Sequence, residues 1–178
     1  IRMDSKVGPE TRVEVLTVTQ ELDGTLFTNP DTSTETLNDR PPLMLRAVIH
    51  AANGGTFPVT VIVNHLRSMN DVDNDAAGSN GWATIGERVR AKRQAQAVDL
   101  ATFVQARQAA DPAERIILVG DFNAFSVKDS LGDLLATICG TPAPDATTAV
   151  PGDGVDLVNP DLVNLGPLGA AAERYSYV

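Results

Sequence analysis

Three observations predict a mixed α/β (α+β) fold. Short β-branched or apolar runs recur at residues 43–50, 58–64 and 116–119. One long segment between them carries Ala97, Leu100, Ala101 and Val104 at i, i+3, i+4 and i+7, the spacing of one helix face. Turn chemistry such as Asn53-Gly54-Gly55 and Asp111-Pro112 separates the segments. Strands that alternate with helices in this way pack as a sheet with helices against it.

Composition bounds the rest. A chain of 178 residues with 43% hydrophobic content reads as one soluble globular domain with its own core. No apolar run is long enough to span a bilayer, so no membrane span is expected. The single Cys139 excludes an internal disulfide framework and a cysteine zinc site. A net charge of -9 argues against a surface that binds nucleic acid non-specifically. It leaves open an acidic site that reaches phosphate through a bridging cation. The chain opens on Ile1 in a mixed polar stretch and reads as a piece of something longer.

Taken in order, Thr11 to Val18 alternates, with Val13, Val15 and Thr17 on one face, and is expected to be a strand. From Gln20 to Asn38 no period survives, which predicts a loop whose Asp and Glu residues are solvated. Asn38-Asp39-Arg40-Pro41-Pro42 then leads into LMLRAVIHA, a second strand. The paired prolines place Arg40 just outside the sheet. Its planar fork suits two phosphate oxygens, while the plainer reading is a solvated arginine paired with Asp39. His50 has no motif around it and reads as structural. Asn53-Gly54-Gly55 predicts a hairpin into strand 58–64, VTVIVNH by its end, which finishes on the polar pair Asn64 and His65.

Asp71, Asp73 and Asp75 alternate like a calcium loop, but Ala76 stands where that loop needs Gly and Trp82 where it needs Glu. An acidic surface loop is the better reading. A helix is expected from Thr84 to Ala109. Its first turns hold Arg88, Arg90, Lys92 and Arg93, either as a solvated face or as a basic ridge that meets polyanion. Asp111-Pro112 ends it.

Ile116 to Val119 follows as a short continuous apolar run, expected to be a strand buried on both faces. Gly120, Asp121 and Asn123 follow at once. They are ordinary turn residues, and equally a carboxylate and an amide at the mouth of a packed core. Ser126 with Asp129 predicts a helix start, Leu131, Leu134, Leu135 and Ile138 its buried stripe, and Gly140 its end. Residues 141–167 read as loop, and Tyr175 to Val178 as the start of another strand.

The block GDFNA at 120–124, with NDRPPL at 38–43 and VIVNHLRS at 61–68 before it, resembles the endonuclease/exonuclease/phosphatase (deoxyribonuclease I-like) superfamily. Its secreted bacterial nucleases look most similar, and ERVRAKRQAQAVDL at 87–100 is a fainter fourth match. The resemblance covers about residues 38 to 125 firmly. It implies part of a four-layer α-β-β-α sandwich of two mixed β-sheets, with 1–178 a single partial domain that lacks its N- and C-terminal strands. It also implies hydrolysis of phosphodiester bonds by metal-positioned water, with Mg2+ or Mn2+ as cofactor and nucleic acid as substrate. Phosphoinositide and sphingomyelin head groups share the same core site within the superfamily. A non-catalytic piece that keeps only the fold is the alternative outside enzymes.

Carried onto this sequence, Asp121 is the metal ligand and orients or deprotonates water. Asn123 holds a phosphate oxygen, and His65 donates a hydrogen bond or proton at the scissile phosphate. Arg40, Asn64 and Arg67 contact phosphate, with Ser68 close by. A metal-binding Glu is expected upstream of Ile1 and an Asp-His pair beyond Val178. The parent protein is expected to be secreted or periplasmic.

Overall fold

The computed structural model describes residues 6–8, 10–124, 133–144, 150 and 154–168. Its centre is a four-stranded sheet in the order β3-β6-β7-β8, formed by Val13–Gln20, Leu43–His50, Thr56–His65 and Ile116–Asp121. β3, β6 and β7 run antiparallel, and β8 lies parallel to β7. The helix α1, Ile85–Ala110, is the crossover that parallel neighbours require. Two short antiparallel ribbons, β1 (Lys6–Val7) with β2 (Glu10–Thr11) and β4 (Leu26–Thr28) with β5 (Thr34–Thr36), stand outside this sheet. The second helix, α2, is Leu134–Cys139. The fold is α+β.

Local chemistry accounts for the boundaries. Thr84 caps α1 by accepting the Glu87 main-chain N–H at 3.1 Å, and the helix stops at Asp111 before Pro112. Gly140 ends α2 at φ 83, a left-handed conformation that costs glycine little. The turn from β6 to β7 closes through Ala51 and Gly55, with Gly54 at φ 82.

Alternation puts Met44, Ile62, Ile116 and Leu118 on one face of the sheet, where Ala97, Leu100, Ala101 and Val104 of α1 meet them. The four helix residues are at most 1% exposed. Truncating Leu100 to alanine in such a site costs about 2–5 kcal/mol.

The opposite face differs from expectation. Ile117 and Val119 are 45% and 39% exposed, so β8 is not buried on both faces. They share that face with Val13, Val15, Val18, Leu43, Ala47, Val59 and Val63, which follows from the register. Among the described residues, the buried cluster on that face is Val13, Ala47 and Val59, with Leu45, Ile49 and Val61 against it. A continuous apolar run is compatible with two covered faces, but it carries no information about what covers them.

Two further expectations are corrected. A bulge between Val15 and Thr17 inserts one residue into β3, so Thr17 pairs with Arg46 and Val18 takes the place expected for Thr17 on the Val13–Val15 face. Residues 20–38 are not all loop: they include the β4–β5 hairpin, where Phe27 stacks on Trp82 with ring centroids 6.0 Å apart. Trp82 also donates its Nε1–H to Asn29 Oδ1, so the contact that orders this polar stretch comes from residues far along the chain. The expected cap at Ser126 and Asp129, the stripe residue Leu131 and the strand at Tyr175 to Val178 lie outside the described residues.

Candidate functional site

Parallel pairing of β7 and β8 sets His65 beside Asp121 and Asn64 beside Gly120. Neighbours in a parallel register point to the same side, so His65 and Asp121 emerge together at the sheet's edge. The side chains are 46% and 61% exposed, open to a ligand. Such close approach needs Gly120, whose φ is 123; a Cβ there would lie 2.0 Å from the Asn64 carbonyl oxygen.

Arg40, extended by its prolines, reaches the same point. Its Nη1 lies 2.7 Å from His65 Nε2. A guanidinium only donates, so Nε2 is the acceptor in this contact. Asp121 Oδ2 stands 3.8 Å from the same nitrogen. A permanent cation, an imidazole and a carboxylate thus converge from residues 40, 65 and 121 of the chain. Asp39 does not hold Arg40. Its carboxylate takes Lys92 Nζ at 3.1 Å and Arg67 Nη1 at 3.3 Å.

Asn123 adopts φ 48, donates its side-chain Nδ2–H to the Leu66 carbonyl at 2.8 Å, and gives its main-chain N–H to Asp121 Oδ1 at 2.9 Å. Its amide therefore ties the loop after β8 to the loop after β7. Asn64 is not brought to the site. It is 2% exposed on the α1 side of the sheet, with Nδ2 donating to the Ile62 carbonyl at 2.9 Å, so phosphate does not reach it. The sequence pair Asn64-His65 is split by the pleat, because successive strand residues face opposite sides.

The basic residues of α1 are neither solvated nor a free ridge. Arg88 forms a two-pronged contact with Glu35 at 2.5 and 2.6 Å, and Lys92, 2% exposed, sits between Glu35 and Asp39. Burial works to raise the Glu35 carboxyl, but the Arg88 hydrogen bond and the nearby charges of Lys92 and Arg88 outweigh it and hold it below its ordinary value. Arg90 donates to the Val72 carbonyl. Arg93, fully buried, donates to the carbonyls of Arg67 and Asn123, each at 2.7 Å. Gln96 accepts from the Arg67 N–H and donates to the Leu37 carbonyl, both at 2.8 Å.

Sequence reasoning passed over Gln96 and misplaced Arg93. A signal was present: both fall on the stripe that includes Val89, Ala97, Leu100 and Val104. A long polar side chain at a core position must find internal partners there.

Among the described residues no group of three or more His, Cys, Asp and Glu side chains is arranged to hold a metal. Asp121 offers one carboxylate on a side chain 61% exposed, with Oδ1 already accepting from the Asn123 N–H. That fits magnesium, which binds through one or two carboxylates and keeps waters and substrate phosphate as its other ligands. Asp71 instead bonds within its own loop, accepting Asn74 Nδ2–H at 3.0 Å. No described helix is long and apolar enough to cross a membrane.

Comparison with protein-family models, with curated proteins and with solved structures gives no match to this chain.

Proposed function

We propose that the chain is part of a metal-dependent phosphodiesterase, a nuclease of the endonuclease/exonuclease/phosphatase type. The observation that carries the reading is the convergence of Arg40 and Asp121 on one nitrogen of His65, at 2.7 and 3.8 Å. Resemblance in three separate sequence blocks supports it: the blocks that carry Arg40, His65 and Asp121 are the ones that meet.

The chemistry follows from what each group does. A phosphate oxygen competes with His65 for the Arg40 fork, because a charge-assisted bond to an anion is stronger than one to an imidazole nitrogen. Released from Arg40, His65 Nε2 is free to carry a proton and hydrogen-bond the phosphate as charge grows on it. Asp121 orients the attacking water and accepts its proton. The new P–O bond forms as the bond to the leaving oxygen breaks. Asp121 is the residue that would hold magnesium or manganese, which would neutralise phosphate charge at the attacked centre. Asn123 holds the exit of β8 in place through its Nδ2–H to the Leu66 carbonyl. Arg67 lies one pair further out, on Asp39.

The test is a substrate panel with the full-length parent: duplex DNA, RNA, a phosphoinositide and sphingomyelin, each with and without magnesium. Metal-dependent cleavage of nucleic acid is expected. Cleavage confined to the phosphoinositide or sphingomyelin would keep the chemistry and overturn the substrate. A folded, magnesium-supplied parent that cleaves none of them would overturn the enzyme reading.

A further inference from the structure

The site residues come from three chain segments. The β7 and β8 exits are joined directly, by the Leu66 N–H to the Asp121 carbonyl at 3.0 Å and the Asn123 Nδ2–H to the Leu66 carbonyl at 2.8 Å. Segment 37–40 meets them through the side chains of Asp39 and Arg40. Segment 37–40 carries Arg40, the β7 exit carries His65 to Arg67, and the β8 exit carries Asp121 to Asn123. Beneath all three runs one turn of α1. Gln96, 3% exposed, bridges the first two: its Nε2–H goes to the Leu37 carbonyl and its Oε1 takes the Arg67 N–H, each at 2.8 Å. Arg93, three residues earlier on the same face, bridges the second and third through the carbonyls of Arg67 and Asn123 at 2.7 Å. The peptide groups of Arg67 are thus gripped at both N–H and C=O by side chains from one helix. Lys92 adds a hold on Asp39, the neighbour of Arg40.

We propose that Gln96 and Arg93 are positioning residues of the candidate site, setting the separation of Arg40, His65 and Asp121 from below without touching the substrate. This rests on the phosphodiesterase reading for its kinetic consequence, but not for its structural one. Each bridge joins main-chain atoms two or three residues from a site side chain. Freeing the loop at Arg67 loosens the end of the β7–β8 ladder, where His65 pairs with Asp121, and with it the contacts of His65 Nε2 to Arg40 and Asp121. In oriented reactions a misplacement of about 1 Å from outside the chemistry costs roughly 10²-fold.

Gln94 is the natural control. It is on the same helix and just as buried at 4%, but its Nε2–H goes to Thr137 Oγ1 at 3.0 Å, tying α1 to α2 and not to the site. The experiment compares Gln96→Met with Gln94→Met, and Arg93→Lys as a milder change at the second bridge. It follows the His65 ring and Arg40 side-chain signals by NMR in this chain, and kcat and KM in the full-length parent. Gln96→Met and Arg93→Lys are expected to shift the His65 and Arg40 signals and to lower kcat roughly 10²-fold with KM little changed. Gln94→Met is expected to lower the melting temperature while leaving those signals and kcat in place.

Unchanged His65 and Arg40 signals in folded Gln96→Met and Arg93→Lys would overturn the proposal. So would equal site shifts in all three variants, since the effect would then be general loosening. If the wild-type parent cleaves no phosphodiester, the phosphodiesterase reading fails, and the NMR comparison still decides the positioning role.

Discussion

Replacing Gly120 with alanine is expected to damage this protein far more than the loss of any exposed side chain. The backbone there has φ 123, where side chains other than glycine's are strained. The added Cβ would meet the Asn64 carbonyl oxygen at 2.0 Å and its main-chain nitrogen at 2.8 Å. Both are backbone atoms of the paired strand, so no rotamer relieves the contact. Strands β7 and β8 would have to part locally by at least about 1 Å, beyond what hard-sphere contact tolerates. Strain at such a φ costs of order 1–3 kcal/mol, and one or two weakened ladder bonds add about 0.5–1.5 kcal/mol each. A total of about 1.5–6 kcal/mol results, which in a chain of this size lowers the melting temperature by roughly 3–24 °C. Thermal and urea unfolding followed by circular dichroism would measure it. Gly24→Ala is the reference, since a Cβ there meets nothing within 4 Å and should be nearly neutral. If Gly120→Ala unfolds within about 1 kcal/mol of wild type, the reasoning about the close strand approach is wrong.

Other outcomes follow from the same geometry. Asp121→Asn keeps the acceptor for the Asn123 N–H on a side chain 61% exposed, so stability should barely move. Turnover of the active parent should fall roughly 10²–10⁴-fold, and full activity would refute the role given to Asp121. His65→Ala should also suppress turnover, whereas His50→Gln should not, because His50 pairs across strands with Glu14 at 3.1 Å and lies outside the site; the reverse result would reject the assignment. Glu35 and Glu114 have folded pKa values below their ordinary 4.5: burial opposes this at both, while Arg88 and Lys92 at Glu35, and Arg107 and Thr60 at Glu114, overcome it. Their stabilising contribution is therefore complete above pH 4.5 and is lost as pH falls through the lowered folded values. Urea titrations below pH 4.5 should show a shallower loss of stability in Glu35→Gln than in wild type, and parallel curves would count against the pairing. Titrating magnesium should shift the Asp121 and Asn123 resonances, weakly, as one carboxylate allows; tight binding centred on Asp71 to Asp75 would identify a different cation site.

What the sequence determined by itself is what neighbours in the chain decide. The strand at Leu43–His50, the helix Ile85–Ala110 capped by Thr84, the turn at Asn53-Gly54-Gly55 and the stop at Gly140 all follow from side-chain period, caps and glycine conformations. Those signals act over a few residues, so reading them needs no knowledge of what packs where. His65 and Asp121 were legible as polar residues at strand ends for the same reason.

Tertiary structure alone decided which of these meet. Arg40 and His65 are joined across 25 residues, and no local pattern distinguishes an arginine that will reach an imidazole from one that stays in water. Likewise Arg93 looks like its neighbours on a basic helix turn, but its side chain is fully buried on two carbonyls. Asn64 looked like the companion of His65 until the pleat turned it to the other face. The open apolar side of β8 was hidden in the same way, since exposure depends on the neighbour and not on the residue. A side chain's chemistry is local, but its burial and partners belong to the whole chain, and the site is made of those.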